Sequence, residues 1–324
     1  MHLPDIAQPA TRLCYTGNAS ALSRIFLRNL LLGILTLQLY WLRGQVRMRK
    51  YVWRNILIGD APLHWAGSFQ SQYTLQSLGG RVLFAAWLLY FVAHLFNTFH
   101  AGPSALLHPV VPSVLMLVSF LLVPLLQYQS YGYQLRETSW RGVRFGLEGN
   151  MMAYARIYLL GAVWAVITLG FGYSSFAVGT RNYLINNSRW GDLNFQYQGS
   201  VGEVRKLYVL GTLACVLSLG AYLPWHVARL RQYHASKTTL GPVQLRVFQD
   251  GSSLSNLWMQ NLCIYLGTLG LGAAWAKTRS MRYQMEHMAL LGPHEALQPG
   301  PATGGPKDGL IDFISLGGDR MLGA

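Results

Sequence analysis

Long apolar stretches alternate along the chain with short basic segments rich in aromatic residues. A membrane span needs roughly 20 mostly apolar residues, within a range of about 17–25. Six stretches meet this requirement, so the pattern predicts an all-α membrane protein with about six transmembrane helices. The predicted spans are residues 22–41, 82–99, 105–127, 154–176, 207–226 and 257–276.

Two of these predicted spans form a pair. A short segment, Ala101–Ser104, joins the second to the third, which predicts a helical hairpin. The third span contains Pro109, Pro112 and Pro124. Proline removes a backbone donor from the helix, so we expect this span to be kinked or broken.

A repeated pattern runs through the chain. A Thr or Ser anchor is always followed by Leu, and a Tyr comes 15 residues after the anchor. In three copies Gly follows the Leu, but the first copy has Gln38; in three copies Arg precedes the Tyr by two residues, but the last has Met281. Such regularity indicates internal duplication. The anchors are Thr36, Thr168, Ser218 and Thr268, and the tyrosines are Tyr51, Tyr183, Tyr233 and Tyr283.

Each copy continues into a short segment of alternating polarity. Leu193, Phe195 and Tyr197 show the alternation that is typical of a strand with one apolar face. A unit is therefore predicted as an apolar helix, a break at Thr-Leu-Gly, a basic amphipathic helix and a short interfacial strand. A decayed fifth copy is expected before the second of these segments. The segments are 62–68, 142–150, 192–200 and 243–252.

Three stretches carry a resemblance to a known family. Residues 138–149, 168–199 and 218–251 resemble the YjgN-like inner-membrane proteins, and the resemblance covers roughly residues 20–290. It implies a bacterial, multi-pass protein of the inner (cytoplasmic) membrane. The family is one of unknown function, so the resemblance implies no activity and no site residues.

Composition agrees with a lipid environment. Hydrophobic residues make up 52% of the chain and charged residues 12%, against about 25% charged in a typical soluble domain. The net charge of +14 favours an acidic partner, for which anionic lipid headgroups are the simplest candidate. We predict an N-terminal tail at 1–20, a repeat-built transmembrane domain at 21–290 and a disordered C-terminal tail at 291–324.

The distribution of basic residues leaves the topology open. With six alternating spans, one side of the membrane receives 12 basic residues and the other 14, so the positive-inside rule gives no clear orientation. Either the repeats alternate in orientation, or some apolar segments enter and leave on the same side, with a re-entrant turn at Thr-Leu-Gly. In the second architecture the strands could form one sheet. We favour plain spans, because the returning helix 226–234 is polar.

Chemistry for catalysis is sparse in the sequence. No Asp or Glu falls within a predicted span, which disfavours a carboxylate-driven carrier. His94, His100 and His108 cluster near one end of the hairpin, but without a neighbouring carboxylate or thiolate they are interpreted as interfacial histidines rather than metal ligands. We therefore predict no enzyme, no cofactor and no metal. Membrane anchoring disfavours nucleic acid as a partner.

A stripe of arginine and tyrosine is the remaining candidate site. Arg binds phosphate through its planar fork of donors, so these residues are candidates for contact with anionic lipid. The simpler interpretation is that they anchor helix ends in the headgroup layer. The candidates are Arg49, Tyr51, Arg181, Tyr183, Arg229, Arg231, Tyr233, Arg282 and Tyr283.

The functional prediction stays general. Duplicated helices favour a protein that moves or senses a lipid or small solute. The alternative is a scaffold that organises a partner at the inner membrane. The sequence leaves the protein partner and the oligomeric state open.

Overall fold

A closed barrel of ten antiparallel strands lies at the base of the helices in the computed structural model. The structure describes residues 10–36, 40–68, 86–92, 94 and 107–292. The strands follow one another around the ring in chain order, and β1 pairs with both β2 and β10. They are β1 (Ala10–Tyr15), β2 (Ile56–Ile58), β3 (Ala61–Trp65), β4 (Thr138–Trp140), β5 (Val143–Leu147), β6 (Ser188–Trp190), β7 (Leu193–Tyr197), β8 (Thr238–Leu240), β9 (Val243–Val247) and β10 (Met288–Leu291).

Helices connect successive β-hairpins of the barrel. Each complete short connection is a pair, in which a 17-residue outgoing helix leads to a 14-residue return helix. The pairs are α1 (Ala19–Leu35) with α2 (Trp41–Arg54), α4 (Met151–Ile167) with α5 (Tyr173–Asn186), α6 (Val201–Leu217) with α7 (Leu223–Ser236) and α8 (Gly251–Gly267) with α9 (Ala273–Glu286). One helix, α3 (Leu107–Arg136), is 30 residues long, and residues 86–92 and 94 are also helical.

The anchor residue of each repeat forms the turn between the paired helices. In the hairpin of α4 and α5, the Thr168 hydroxyl donates to the carbonyl of Trp164 at 2.7 Å and accepts from the Gly172 amide at 2.7 Å. Leu169 follows with φ +51° and Gly170 with φ +93°. The Gly170 amide then bonds to the carbonyl five residues earlier at 2.7 Å, which is the Schellman ending of a helix. The repeat thus encodes a reversal of chain direction.

Two-residue turns and alternating burial define the barrel. Gly59, Gly191 and Gly241 lie 23 residues after the anchor in three copies of the repeat, and they have positive φ at the β-hairpin turns, which glycine adopts without strain. Across the ring, each long strand pairs with the next short strand in the same register, for example Phe195 with Leu240. The residues of one strand face are buried, and those of the other are mostly polar.

The buried face lies inside the barrel. Trp140 and Trp190 lie on strands separated by β5, and strands two apart are about 10 Å from one another. Their ring centroids are nevertheless 4.5 Å apart. Side chains converge in this way on the concave side of a curved sheet. We therefore place the buried aromatic and aliphatic residues in the interior, which leaves the polar face outside.

The prediction of an all-α protein with six transmembrane helices is wrong. Four predicted spans, 22–41, 154–176, 207–226 and 257–276, each contain a helix end, a turn and the start of a second helix. Hydropathy is summed over a window regardless of chain direction, so an apolar hairpin tip has the same score as a continuous helix. Within the described residues, one helix is long and apolar enough to cross a membrane: Pro112–Arg136, which overlaps the predicted span 105–127.

The preference for plain spans with basic segments at both surfaces is also wrong. Every described strand belongs to one ring, so each short helical hairpin leaves the barrel and returns to it. The barrel includes β1 from Ala10, inside the segment that we predicted as an N-terminal tail. The internal repeat is confirmed, since the helix pairs and β-hairpins recur with the same lengths. The turn Ala101–Ser104 lies outside the described residues.

Candidate membrane-contacting surface

Three equivalent leucines at the hairpin turns combine two unfavourable properties. These tip leucines, Leu169, Leu219 and Leu269, have φ values of +51°, +50° and +49°. A left-handed conformation costs a non-glycine residue about 1–2 kcal/mol. Their side chains are also 89%, 97% and 93% exposed. Glycine would remove both costs, so three leucines here favour an apolar partner outside the chain. Leu37, at the same position of the first repeat, lies outside the described residues.

The apolar surface continues from the tips along the outgoing helices. In α4 all residues from Ile157 to Ile167 are uncharged, and Leu160, Trp164 and Ile167 are exposed. The corresponding parts of α6 and α8 also expose large hydrophobic side chains. These are Leu210, Leu213, Val216, Leu217, Met259, Leu262 and Leu266. The half of each of these helices away from the barrel is therefore uncharged and exposes large hydrophobic side chains.

A set of exposed basic residues limits this apolar region on the side of the barrel. Arg24, Arg156 and Lys206 lie at the same position, six residues after the N-cap residues of α1, α4 and α6. Arg28, about one helical turn after Arg24, and Arg205, directly before Lys206, are also exposed. We call these five residues the basic belt. None of their side chains forms a hydrogen bond or ion pair with another residue in the part of the chain that the structure describes.

The distance from belt to tip is close to the thickness of one lipid leaflet. From Arg156 to Ile167 the helix rises about 16 Å, at 1.5 Å per residue. Half of a bilayer's hydrocarbon core is about 15 Å thick. On the return helices the first Arg or Lys lies closer to the tip than the basic belt does on the outgoing helices. These residues are Arg43 in α2, Arg181 in α5 and Lys277 in α9. The short hairpins are therefore too short in their apolar part to cross a bilayer.

The repeated tyrosines lie at the other end of the hairpins. The Tyr183 hydroxyl donates to the carbonyl of Asn150, the N-cap residue of α4, at 2.7 Å. The same contact joins Tyr51 to Asn18, Tyr233 to Ser200 and Tyr283 to Asp250. We call Tyr51, Tyr183, Tyr233 and Tyr283 the clamp tyrosines, because each ties a return helix to the first residue of its outgoing helix. Their proposed contact with lipid stays a prediction.

The arginines of the predicted stripe divide into two groups. Arg49 lies over the ring of Trp65 at 5.7 Å, and Arg231 donates to the side chain of Gln249 at 3.1 Å. Burial lowers the pKa of Arg231 to about 10. Arg181 is half-buried, whereas Arg229 and Arg282 are exposed. The structure therefore packs the repeated arginines, two residues before the clamp tyrosines, against the protein, and it does not gather the stripe into one site.

The comparison with protein families agrees with the resemblance seen in the sequence. A family described as "Bacterial protein of unknown function (DUF898)" matches residues 10–225, 180–255 and 206–298. The chain belongs to this family. The overlapping matches of this DUF898 protein fit its internal repeat. No curated protein and no solved structure matches the sequence.

Sequence reasoning missed a buried polar pair in the DUF898 protein. The Tyr197 hydroxyl and His234 Nδ1 are 2.7 Å apart, and both side chains are buried. Burial lowers the pKa of His234 to about 2 and raises that of Tyr197. The repeat could have indicated this pair, because Leu147 and Leu184 occupy the same two positions one unit earlier.

The predicted histidine cluster is only partly described. His94 stacks on Tyr90, with ring centroids 5.9 Å apart. His100 and the side chain of His108 lie outside the described residues. Among the residues that the structure does describe, no three His, Cys, Asp or Glu side chains come together as a metal site would require.

Proposed function

We propose that this protein is a membrane scaffold that inserts its short helical hairpins into one leaflet of an anionic bilayer and holds its barrel in water. The tip leucines carry this proposal. A strained, exposed leucine is costly in water, but each leucine that becomes buried in lipid contributes about 1.5–3 kcal/mol. The same residue at three equivalent tips lets one rigid molecule make three such contacts.

A bilayer fits this surface better than a protein partner does. Exposed basic residues lie at the same level of three hairpins, those that begin with α1, α4 and α6, and in α4 their separation from the tip is close to the thickness of one leaflet. Each basic residue near an anionic surface contributes roughly 1 kcal/mol. Lipid headgroups would thus meet the basic belt while acyl chains cover the tips. The positive-inside rule then places the barrel on the cytoplasmic side of the inner membrane.

This geometry favours scaffold over carrier. Hairpins whose apolar parts reach through one leaflet do not line a path through both. The barrel interior is filled by side chains such as Trp190, Phe145 and Phe195, which are almost completely buried. Its polar outer face, by contrast, is available for a protein partner in the aqueous phase.

Two native cysteines test the insertion. Cys14 and Cys263 are both exposed in the structure, the first on β1 and the second in the apolar half of α8. We would reconstitute the Cys215→Ser variant in phosphatidylglycerol-containing vesicles and add a membrane-impermeant maleimide to both faces. We expect Cys14 to react and Cys263 to react only after unfolding in detergent. Equal reaction of the two thiols in intact vesicles would overturn the proposal.

Charge-matched variants test the preference for anionic lipid. One variant replaces Arg24, Arg156 and Lys206 with Gln, and the control replaces three barrel arginines, Arg12, Arg144 and Arg246, with Gln. The measurement is the association of spin-labelled phosphatidylglycerol relative to phosphatidylcholine. We expect the preference to fall towards one in the belt variant alone. An equal loss in both variants would show that net charge, rather than the basic belt, attracts the lipid.

A further inference from the structure

The long helix α3 differs from its equivalents in a way that sets its depth. It ends at Arg136, directly before β4, just as α5 and α7 end directly before β6 and β8. With 30 residues against 14, it extends about 24 Å farther from the barrel than they do. The hairpins thus share a base but not a length.

The charge and exposure of α3 indicate the kind of environment that this helix requires. Arg136 is its only charged residue, so 29 residues before it carry no charge. The most apolar 18-residue part of Pro112–Arg136 has a mean hydropathy of 1.5, and only 11% of it is buried, so most of this surface is not covered by the rest of the described chain. Met116, Leu117 and Leu121 are exposed. Pro112 and Pro124 lie inside α3. Membrane helices tolerate such prolines because neighbouring groups can bond to the backbone groups that proline leaves free.

A second apolar helix lies beside α3. Trp87 Nε1 donates to Ser119 Oγ at 3.3 Å, so the helical residues 86–92 lie against its middle. On this neighbour, Leu89 and Phe91 are exposed. Two adjacent helices thus expose uncharged side chains at the level of the middle of α3.

From these observations we infer that α3 crosses the whole bilayer, while the short hairpins stop within the near leaflet. This inference rests on the proposed function. Tyr131 in α3 corresponds to Arg181 in α5, each lying five residues before its helix end. From that level to Leu107 the helix rises about 36 Å, more than the roughly 30 Å of hydrocarbon in a bilayer. The protein is thus exposed in both aqueous compartments, and α3 is the part of the described chain that reaches deepest into the membrane.

Single cysteines test this topology in the full-length protein. In variants otherwise free of cysteine, native Cys14 reports the barrel side, Leu107→Cys the start of α3 and Leu219→Cys a short tip. An impermeant maleimide is added to right-side-out and inverted membrane vesicles. We expect Cys14 to react from one side, position 107 only from the opposite side and position 219 from neither.

The outcomes separate this inference from the proposed function. Reaction at position 107 from the barrel side, or from neither side, would overturn the crossing of α3 while position 219 stays protected. Reaction at position 219 from the side opposite Cys14 would overturn both, because the short hairpins would then span. Reaction at position 219 from the same side as Cys14 would overturn the one-leaflet insertion itself.

Discussion

Replacing the four clamp tyrosines with phenylalanine decides between a structural and a lipid-binding role for the most regular feature of the sequence. The change removes only the hydroxyls and leaves the ring packing in place. In the structure these hydroxyls bond to the N-cap residues of the outgoing helices, at 2.7 Å for Tyr183 and 3.4 Å for Tyr283. We therefore expect the hairpins to lose a tie at their base.

The magnitude follows from the number of bonds. A typical intramolecular hydrogen bond contributes about 1 kcal/mol net, so the fourfold variant should lose about 4 kcal/mol. At roughly 2 °C per kcal/mol for a large domain, Tm should fall by about 8 °C. The assay is thermal unfolding of the purified protein in mild detergent. As a control, Tyr222→Phe and Tyr265→Phe remove hydroxyls that bond to no other described residue, and Tm should stay unchanged.

Lipid association in the same variants provides the opposing test. If the tyrosines are clamps, the preference for phosphatidylglycerol should survive in the fourfold variant. An unchanged Tm together with a lost lipid preference would refute the clamp and support the original lipid-contact prediction.

Four further predictions concern the tips and two polar contacts. Glycine at all three tip leucines should raise the rate of maleimide labelling of Cys263 in vesicles at least tenfold. Each leucine replaced removes about 1.5–3 kcal/mol of favourable burial in lipid. An unchanged labelling rate would contradict tip insertion. A hydrogen bond from Lys237 is the main cause that lowers the pKa of Glu203. Their contact therefore stabilises the fold above pH 4.5, and this stabilisation is lost as the pH falls through the lowered pKa. Glu203→Gln should flatten that part of the Tm–pH curve, and an unaltered curve would argue against the contact. His234→Leu alone leaves the Tyr197 hydroxyl unpaired and should cost about 1–3 kcal/mol, whereas adding Tyr197→Phe should restore most of it, as urea unfolding would show; additive losses would contradict the coupling. Below about pH 6.5 the unfolded state binds a proton at His234 and the folded state does not, so the free energy of unfolding should decrease as the pH is lowered. His234→Leu should remove this dependence of stability on pH.

Much of the local architecture could be predicted from residue patterns. The alternation of Leu193, Phe195 and Tyr197 predicted β7, and the corresponding segments contain β5 and β9 and overlap β3. The short strands such as β6 were missed, because three residues directly after a helix are too few to show a period. The basic amphipathic helices are the return helices. Of the candidate site, the pattern identified the regular tyrosines but not their contact with N-cap residues 33 positions earlier.

The sequence by itself determined the repeat, its break at Thr-Leu-Gly and the strands of alternating polarity, because these depend on interactions between near neighbours. The sequence predicted a break at Thr-Leu-Gly but left its direction open, and the structure showed that the chain reverses at Leu169 and its equivalents, where φ is positive. Only the tertiary structure decided that β1 and β10, at opposite ends of the described chain, pair to close the barrel. That pairing puts all hairpins on one ring, and a ring is a property of contacts distant in sequence.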